Sequence, residues 1–430
     1  MLIDFTVSNY QSIKKEQTFS FVSESKTKEE NALFSIENKT IKLYPFSAIF
    51  GPNASGKSKF IYALEDLCKY VADSYKYGEN QNISAYKPFL LDEESKDKSS
   101  RFEIEYEVNG SRFLYILEVL KKEVVYEELF SFSYNVRTAK TRVFTRKRNE
   151  PIYFNKEYTS LRKGVEEFLL PNQSLLSRCG NSKNELLKLP YSFFSDKIKF
   201  YTHKSFELPE ICTTTVLLDG DYQDFFKSQI INFLHSADMQ IEDIKIEHNK
   251  DNKIIDYLRD ASTDERNETL LNLLSAEPKI AHKVNSKTKE NEYVYFDLAS
   301  QESSGTNKLY DLSSYFLSSL ISGETIVIDE FNTGLHPVIE KMIVDMYLDP
   351  EINVNHAQLL VTSHNTYILD ACRLKREQVW FTDKNELGET ELYCLNEFDK
   401  NLIRDYANYG KYYLEGRFNA LPAISIPVLK

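Results

Sequence analysis

Apolar and polar residues alternate through LIDFTVSNY, QTFSFV and IKLYPFSAIF, the two-residue period of strands. A helical run follows from Lys57 to about Tyr77. From Tyr86 to Phe154 the pattern returns to short strands with charged turns: PFLL, RFEIEYEV, RFLYILEVL, EVVYEELFSFSY and RVFTRKR. Asn109-Gly110 marks one tight turn, and the stretch predicts an antiparallel meander. From about Asn155 to Ala276, VEEFLL and DYQDFFKSQIINFLHSAD carry apolar residues at three- and four-residue spacing. That predicts mostly helices, without the sustained heptads of a long coiled coil.

Two or three strands are expected between Pro278 and Asp297. The last third predicts a helix at Thr306–Leu320, strand TIVIDE, a helix at Pro337–Leu348, strand QLLVTS, a short helix, then strands VWFTD and ELYCL. Single strands alternating with helices mark a parallel α/β core. The two α/β-like pieces lie at opposite ends, so the simplest account is one core built from both. The expected organisation is an N-terminal lobe at 1–154, a mostly helical insertion at 155–276 and a C-terminal lobe at 277–430.

The chain has 430 residues, 42% hydrophobic and 27% charged, the balance of a soluble globular protein rather than a disordered or fibrous one. A net charge of −12 argues against a surface that coats nucleic acid, although a local basic groove stays open. Five scattered cysteines without a C-x-x-C pair fit free thiols in a reducing compartment. Asp4 interrupts any signal-peptide core, and Leu309–Ile328 carries too many polar residues to span a membrane. A soluble, cytoplasmic protein is expected. Glycine is scarce, 13 in all, so its clusters are informative.

The strongest motif is Gly51-Pro52-Asn53-Ala54-Ser55-Gly56-Lys57-Ser58-Lys59, placed between a strand and a helix as a phosphate-binding loop requires. Its glycines let backbone N–H groups turn toward phosphates, and the helix start adds a positive end. Lys57 would reach the β- and γ-phosphates, and Ser58 would sit on Mg²⁺. A second motif, TIVIDE, delivers two carboxylates at the end of a buried strand. Asp329 is the candidate metal ligand, and Glu330 the candidate base for an attacking water. His364, ending QLLVTSH, is placed to meet a γ-phosphate. Ser303-Ser304-Gly305 opens a helix and offers hydroxyls and N–H groups to an anion; taken alone it is a helix cap.

The order phosphate loop, small-residue helix start, Asp-Glu strand and His strand resembles the ATP-binding-cassette ATPases, especially their soluble SMC-like branch. The resemblance is most detailed for bacterial ATPases related to OLD, RloA-type and abortive-infection proteins. It is carried by FTVSNYQSIK, GPNASGKS, KPFLLDEESKDKSSRFEIEY, ADMQIEDI, ESSGT, IDEFNTGLHP, TSHNTYILD, EQVWFTDKNELGETELYCL and YLEGRFNALP. It implies an ABC-type ATPase head: a P-loop core plus an antiparallel β subdomain, with the helical segment inserted. It further implies ATP held between two subunits of a homodimer or higher homo-oligomer, with Ser303 and Gly305 contacting the γ-phosphate in trans. ATP and Mg²⁺ are the implied cofactors, and anti-phage defence through a separate effector protein, a Toprim-type nuclease being one candidate, is the implied role. With about sixty-five residues after His364, no appended Toprim domain is expected. Asn332 stands where such relatives often carry aspartate, and Gln11 where a basic residue is common. Gln81 is a candidate for the metal-sensing glutamine.

Two other functions compete: an SMC-like DNA-repair head and an ATP-bound scaffold that does not hydrolyse. Arg137, Lys140, Arg142, Arg146, Lys147 and Arg148 form a basic cluster that suits either a solvated hairpin or contact with nucleic acid or an acidic partner. Asp219-Gly220-Asp221 is a lone D-x-D without a companion glutamate motif. No Asn-Lys-x-Asp motif supports a GTP switch. The helical insertion and the YLEGRFNALP tail are the expected partner surfaces.

Overall fold

The computed structural model describes residues 1–24, 34–36, 41–132, 140–182, 185–202, 213–219, 223–249, 275–285, 292–399, 403 and 408–422. The chain forms two compact units. The first comprises Met1–Tyr201, Gly323–Phe331 and Val344–Lys430, the second Thr202–Ser322 and Asn332–Ile343.

The first unit holds both large sheets. One is antiparallel, built from β1 (Leu2–Ser8), β2 (Gln17–Ser20), β6 (Ser100–Val108), β7 (Ser111–Val119), β8 (Val124–Phe132), β9 (Lys140–Lys147) and β10 (Tyr153–Phe154) in the order β10-β9-β8-β7-β6-β1-β2. The Asn109-Gly110 turn sets its register: both residues have positive φ (47° and 80°), the two-residue hairpin geometry, and Val108 pairs with Ser111. Phe102, Ile104, Tyr115 and Leu117 point into a core shared with Phe60, Leu64 and Leu67 of the helix Lys57–Asp73. On the opposite face Leu114, Ile116 and Phe130 form a small cluster that Arg112, Lys140 and Arg142 cover by lying over Phe132 and Phe130.

The PFLL segment expected as a strand is a loop. Pro88 lacks an N–H, and the Phe89 N–H donates to Asn9 Oδ1 (3.0 Å) instead of a ladder. A two-stranded ribbon, β3 (Phe34–Ile36) and β4 (Ile41–Leu43), precedes β5 (Phe46–Phe50), and Tyr44-Pro45 separates β4 from β5.

The second large sheet is the α/β core. It joins β5 to β11 (Ile198–Tyr201), β15 (Thr325–Ile328), β16 (Gln358–Thr362), β17 (Val379–Lys384) and β18 (Thr390–Cys394) in the order β11-β15-β16-β5-β17-β18, all parallel except β18. β5, β15 and β16 are buried along their whole length, as continuous apolar runs in a parallel sheet must be. The carboxyl ends of β5, β15 and β16 lie on one edge, the edge at which α/β sheets hold ligands.

The second unit contains a three-stranded antiparallel sheet, β12 (Asp243–His248), β13 (Ala276–Lys283) and β14 (Tyr293–Asp297). Two helices, Thr213–Leu218 and Gln223–Ser236, pack on a longer one, Ser304–Ser322. Thr214 Oγ1 donates to Tyr310 O (2.8 Å), and Phe233 meets Phe316 at 5.9 Å. Among the described residues no helix is long and apolar enough to cross a membrane.

Candidate phosphate and cation site

β5 runs straight into the loop Gly51–Gly56, and the helix Lys57–Asp73 begins at its end. A Cβ on Gly51 would lie 2.4 Å from Thr382 O, and one on Gly56 would lie 2.1 Å from Thr390 Oγ1; both residues also have positive φ (151° and 112°). Only glycine fits at either place. The same two threonines brace the loop. Thr382 Oγ1 hydrogen-bonds Ser55 Oγ (2.5 Å), and Thr390 Oγ1 donates to Ser55 O (2.9 Å). The turn also uses Ala54 in the left-handed region (φ 64°), and Asn53 and Ala54 remain exposed. A concave turn of this kind ahead of a helix start is an anion cradle.

Lys57 is buried, and its ammonium donates to Gly51 O and Pro52 O, both at 2.9 Å. Burial lowers its pKa to about 8, with Asp329 and Glu330 pulling the other way. Phosphate oxygens entering the loop would replace those two carbonyls and restore the full charge. Lys59 stays exposed, its ammonium 5.5 Å from the Tyr62 ring centre.

Asp329 and Glu330 follow β15 directly. Asp329 is buried. Its Oδ1 accepts from Ser58 Oγ (3.1 Å) and Thr362 Oγ1 (2.6 Å), while Oδ2 is buried without a hydrogen-bond partner. The structure thus brings Ser58 of the loop and the strand-end carboxylate of Asp329 together. A buried carboxylate oxygen left unpaired beside a serine hydroxyl suits a hard cation such as Mg²⁺. Among the described residues no group of three or more His, Cys, Asp or Glu could hold a metal alone. A cation here would complete its shell with water and phosphate oxygens.

Glu330 adopts φ 53°, rare for a residue with a side chain. Thr362 fixes it there: Thr362 Oγ1 accepts the Glu330 N–H (2.8 Å), and Thr362 O accepts the Phe331 N–H (3.0 Å). Backbone strain held by neighbours in this way is characteristic of functional sites. His364, two residues beyond β16, stands at the exposed rim. Its pKa is lowered by partial burial and then by the Lys57 cation, against the raising effect of Glu330 and Asp329. The loop, both carboxylates and His364 thus share one locality.

Thr362, Thr382 and Thr390 were not anticipated, nor was Tyr62. Burial first and the Asp329 charge second push the Tyr62 phenol up to about 12. One signal was available for Tyr62: it lies four residues after Ser58, on the same helix face.

Ser303 and Gly305 belong to the second unit. Ser303 Oγ accepts the Thr306 N–H (3.1 Å) and caps the helix Ser304–Ser322. A Cβ on Gly305 would lie 2.9 Å from Gly334 O, so the helix start rests on the loop after Asn332; Lys308 Nζ donates to Thr333 O in the same loop. The Asn332 carbonyl accepts from the Leu335 N–H (3.5 Å).

The remaining candidates have local roles. Gln81 is exposed and its side chain accepts from Gly78 N–H (3.4 Å) in its own turn. Gln11 has φ 47° and donates through Nε2 to Tyr10 Oη (3.0 Å). In the basic cluster Arg142 pairs with Glu128, Arg146 with Glu127, Lys147 with Glu150 and Arg148 with Glu123, while Lys140 lies over the Phe130 ring; Arg137 lies outside the described residues. Asp219 bonds His248 Nε2 (3.1 Å), and Gly220 and Asp221 lie outside the described residues. Burial raises the Cys68, Cys179 and Cys394 thiols, to about 12 for the latter two, so none is a poised nucleophile.

A protein-family model described as "AAA domain, putative AbiEii toxin, Type IV TA system" matches residues 46–370. No curated protein matches the chain. Among solved structures, an SMC head bound to the C-winged helix domain of ScpA is 12% identical, with 91% of this chain and 97% of that one covered and a TM-score of 0.42. The recombination mediator protein RecF of the RecFOR pathway is 14% identical, with 91% and 98% covered and a TM-score of 0.33.

Proposed function

The chain belongs to the AAA-domain family described as putative AbiEii toxins of type IV toxin–antitoxin systems, and from that premise we propose that it is a Mg²⁺-dependent ATP hydrolase. The observation that carries the reading is the bond from Ser58 Oγ to Asp329 Oδ1, with the strained Glu330 next in the chain. It joins a phosphate loop to a strand-end carboxylate pair, the parts that phosphoryl transfer to water needs.

The chemistry is positioning and charge neutralisation. Backbone N–H groups of 51–58 hold the phosphates, and Lys57 offsets charge on the β- and γ-phosphates. Ser58 and Asp329 would hold Mg²⁺, which supplies further charge neutralisation to the phosphate oxygens. Glu330 orients the attacking water and accepts its proton. His364, its pKa lowered, offers a neutral imidazole to the γ-phosphate.

Ser303 and Gly305 of a second copy would close the site, so that ATP joins two subunits and hydrolysis releases them. The output of that cycle is control of a separate effector protein, in anti-phage defence. The acidic balance and the internally paired basic cluster favour a protein over DNA as the target.

Two variants test the cycle on sizing chromatography. Lys57→Ala should stay monomeric with ATP, because phosphate contacts are lost. Glu330→Gln should accumulate an ATP-dependent dimer, because contacts survive and hydrolysis stops. Identical behaviour of the two variants would contradict the proposal.

A further inference from the structure

The tail YLEGRFNALP anchors three side chains in the first unit, Tyr413, Phe418 and Ala420, and leaves Leu414 and Leu421 exposed. Tyr409, Tyr413, Phe418 and Ala420 are buried. Tyr413, on the helix Tyr409–Leu414, stacks on Phe381 of β17 (5.6 Å, 11°) and meets Phe50, the last residue of β5 (6.4 Å). Phe418 adds to the same aromatic cluster at 5.0 Å from Phe381, and its carbonyl accepts from Tyr393 Oη (2.6 Å).

The other end of this helix grips a different part of the site. The Gly410 N–H donates to Asp370 Oδ1 (2.8 Å), and a Cβ on Gly410 would lie 2.6 Å from Asp370 Oδ2 and 2.8 Å from Thr366 O. Asp370 and Thr366 belong to the segment that leaves His364, through the helix Tyr367–Ala371. One turn of helix thus packs on the residue that leads into the phosphate loop and on the His364 segment.

We propose that the helix Tyr409–Leu414 is a strut that fixes the phosphate loop and the His364 segment relative to each other, with Tyr413 and Gly410 as positioning residues at its two ends. Neither touches nucleotide. Tyr413 sets the direction in which the chain enters the loop, because its ring packs on both Phe381 and Phe50, the residue directly before Gly51. Gly410 sets how closely the His364 segment approaches, because no side chain larger than hydrogen fits between them. The catalytic part of this inference rests on the ATPase reading; the mechanical part does not.

The two ends predict different losses. Tyr413→Leu keeps apolar bulk and removes the ring stack, so it should weaken binding of a fluorescent ATP analogue about three- to tenfold, the effect of one aromatic pair, with kcat within about twofold. Gly410→Ala should lower kcat about tenfold or more and leave analogue affinity within about twofold. Leu414→Ser, on the exposed side of the helix, should change neither. In nucleotide-free protein, Tyr413→Leu should speed hydrogen exchange of the 50–56 peptide about three- to tenfold while leaving peptides of β6 and β7 unchanged. Unchanged exchange at 50–56, or equal losses in affinity and kcat for both variants, overturns the strut. If the wild type binds no nucleotide, the ATPase reading fails, and the exchange measurement still decides the mechanical claim.

Discussion

Thr362→Val is the sharpest perturbation of the site. Thr362 is fully buried, and its hydroxyl makes two bonds: it donates to Asp329 Oδ1 at 2.6 Å and accepts the Glu330 N–H at 2.8 Å. Valine keeps the shape and removes both. The buried N–H left without a partner costs roughly 1–3 kcal/mol, and the lost bond to a carboxylate about 1.5–3 kcal/mol. Because one hydroxyl makes both bonds the terms overlap, and about 2–4 kcal/mol of stability should be lost in urea titration. The functional loss follows from the backbone. Without the Thr362 acceptor, Glu330 can leave its left-handed conformation, relieving about 1–3 kcal/mol of strain and moving the carboxylate that aims the water. A displacement near 1 Å is worth about a hundredfold, so steady-state phosphate release should show kcat down about a hundredfold. KM for ATP should change less than kcat, because Thr362 reaches the phosphate loop only through Asp329 Oδ1, which Ser58 also holds. Thr362→Ser, which keeps the hydroxyl, should recover most of the rate. A valine variant that loses the expected stability yet turns over within about threefold of wild type would refute the positioning role.

Two further predictions concern charge. With a pKa near 8 in the nucleotide-free state, Lys57 is charged below that pH and loses its proton above it. Phosphate binding favours the charged form, so calorimetry in buffers of different ionisation enthalpy should show uptake of about half a proton at pH 8, approaching one by pH 9, and affinity should fall as pH rises. In the second unit, Asp297 accepts from the Ser300 N–H (2.8 Å) and pairs with Lys279 (2.9 Å), which with a bond from the Ser300 hydroxyl hold its carboxyl down at about 2. A depressed carboxylate pKa stabilises above its unfolded value near 3.8 and loses that contribution as pH falls toward 2. Asp297→Asn should therefore flatten stability in that acid window while costing about 1 kcal/mol or less at pH 7.

The site was legible where its chemistry is local in sequence. The loop 51–58 needs only its glycines, its lysine and the strand–helix context, and Asp329-Glu330 needs only an apolar run that stops at two acids. What braces these groups was not legible, because it comes from far along the chain. Thr382 and Thr390 reach Ser55 across 327 and 335 residues. Thr362 matters because β16 lies between β15 and β5, a strand order that no pattern of alternation states. PFLL read as a strand on apolarity alone, although a proline and a side-chain bond to Asn9 decide it as a loop. The anchoring of the tail was not legible for a related reason. Tyr409, Tyr413 and Phe418 are too few to show a periodic face, and only the fold reveals the aromatic cluster that receives them.

Steady-state phosphate release from Mg-ATP by the wild-type chain and by Glu330→Gln tests the central claim most directly. The account predicts turnover by the wild type, its dependence on Mg²⁺, and a fall of about two orders of magnitude or more in the variant with ATP binding retained. Equal rates in the two proteins would contradict it.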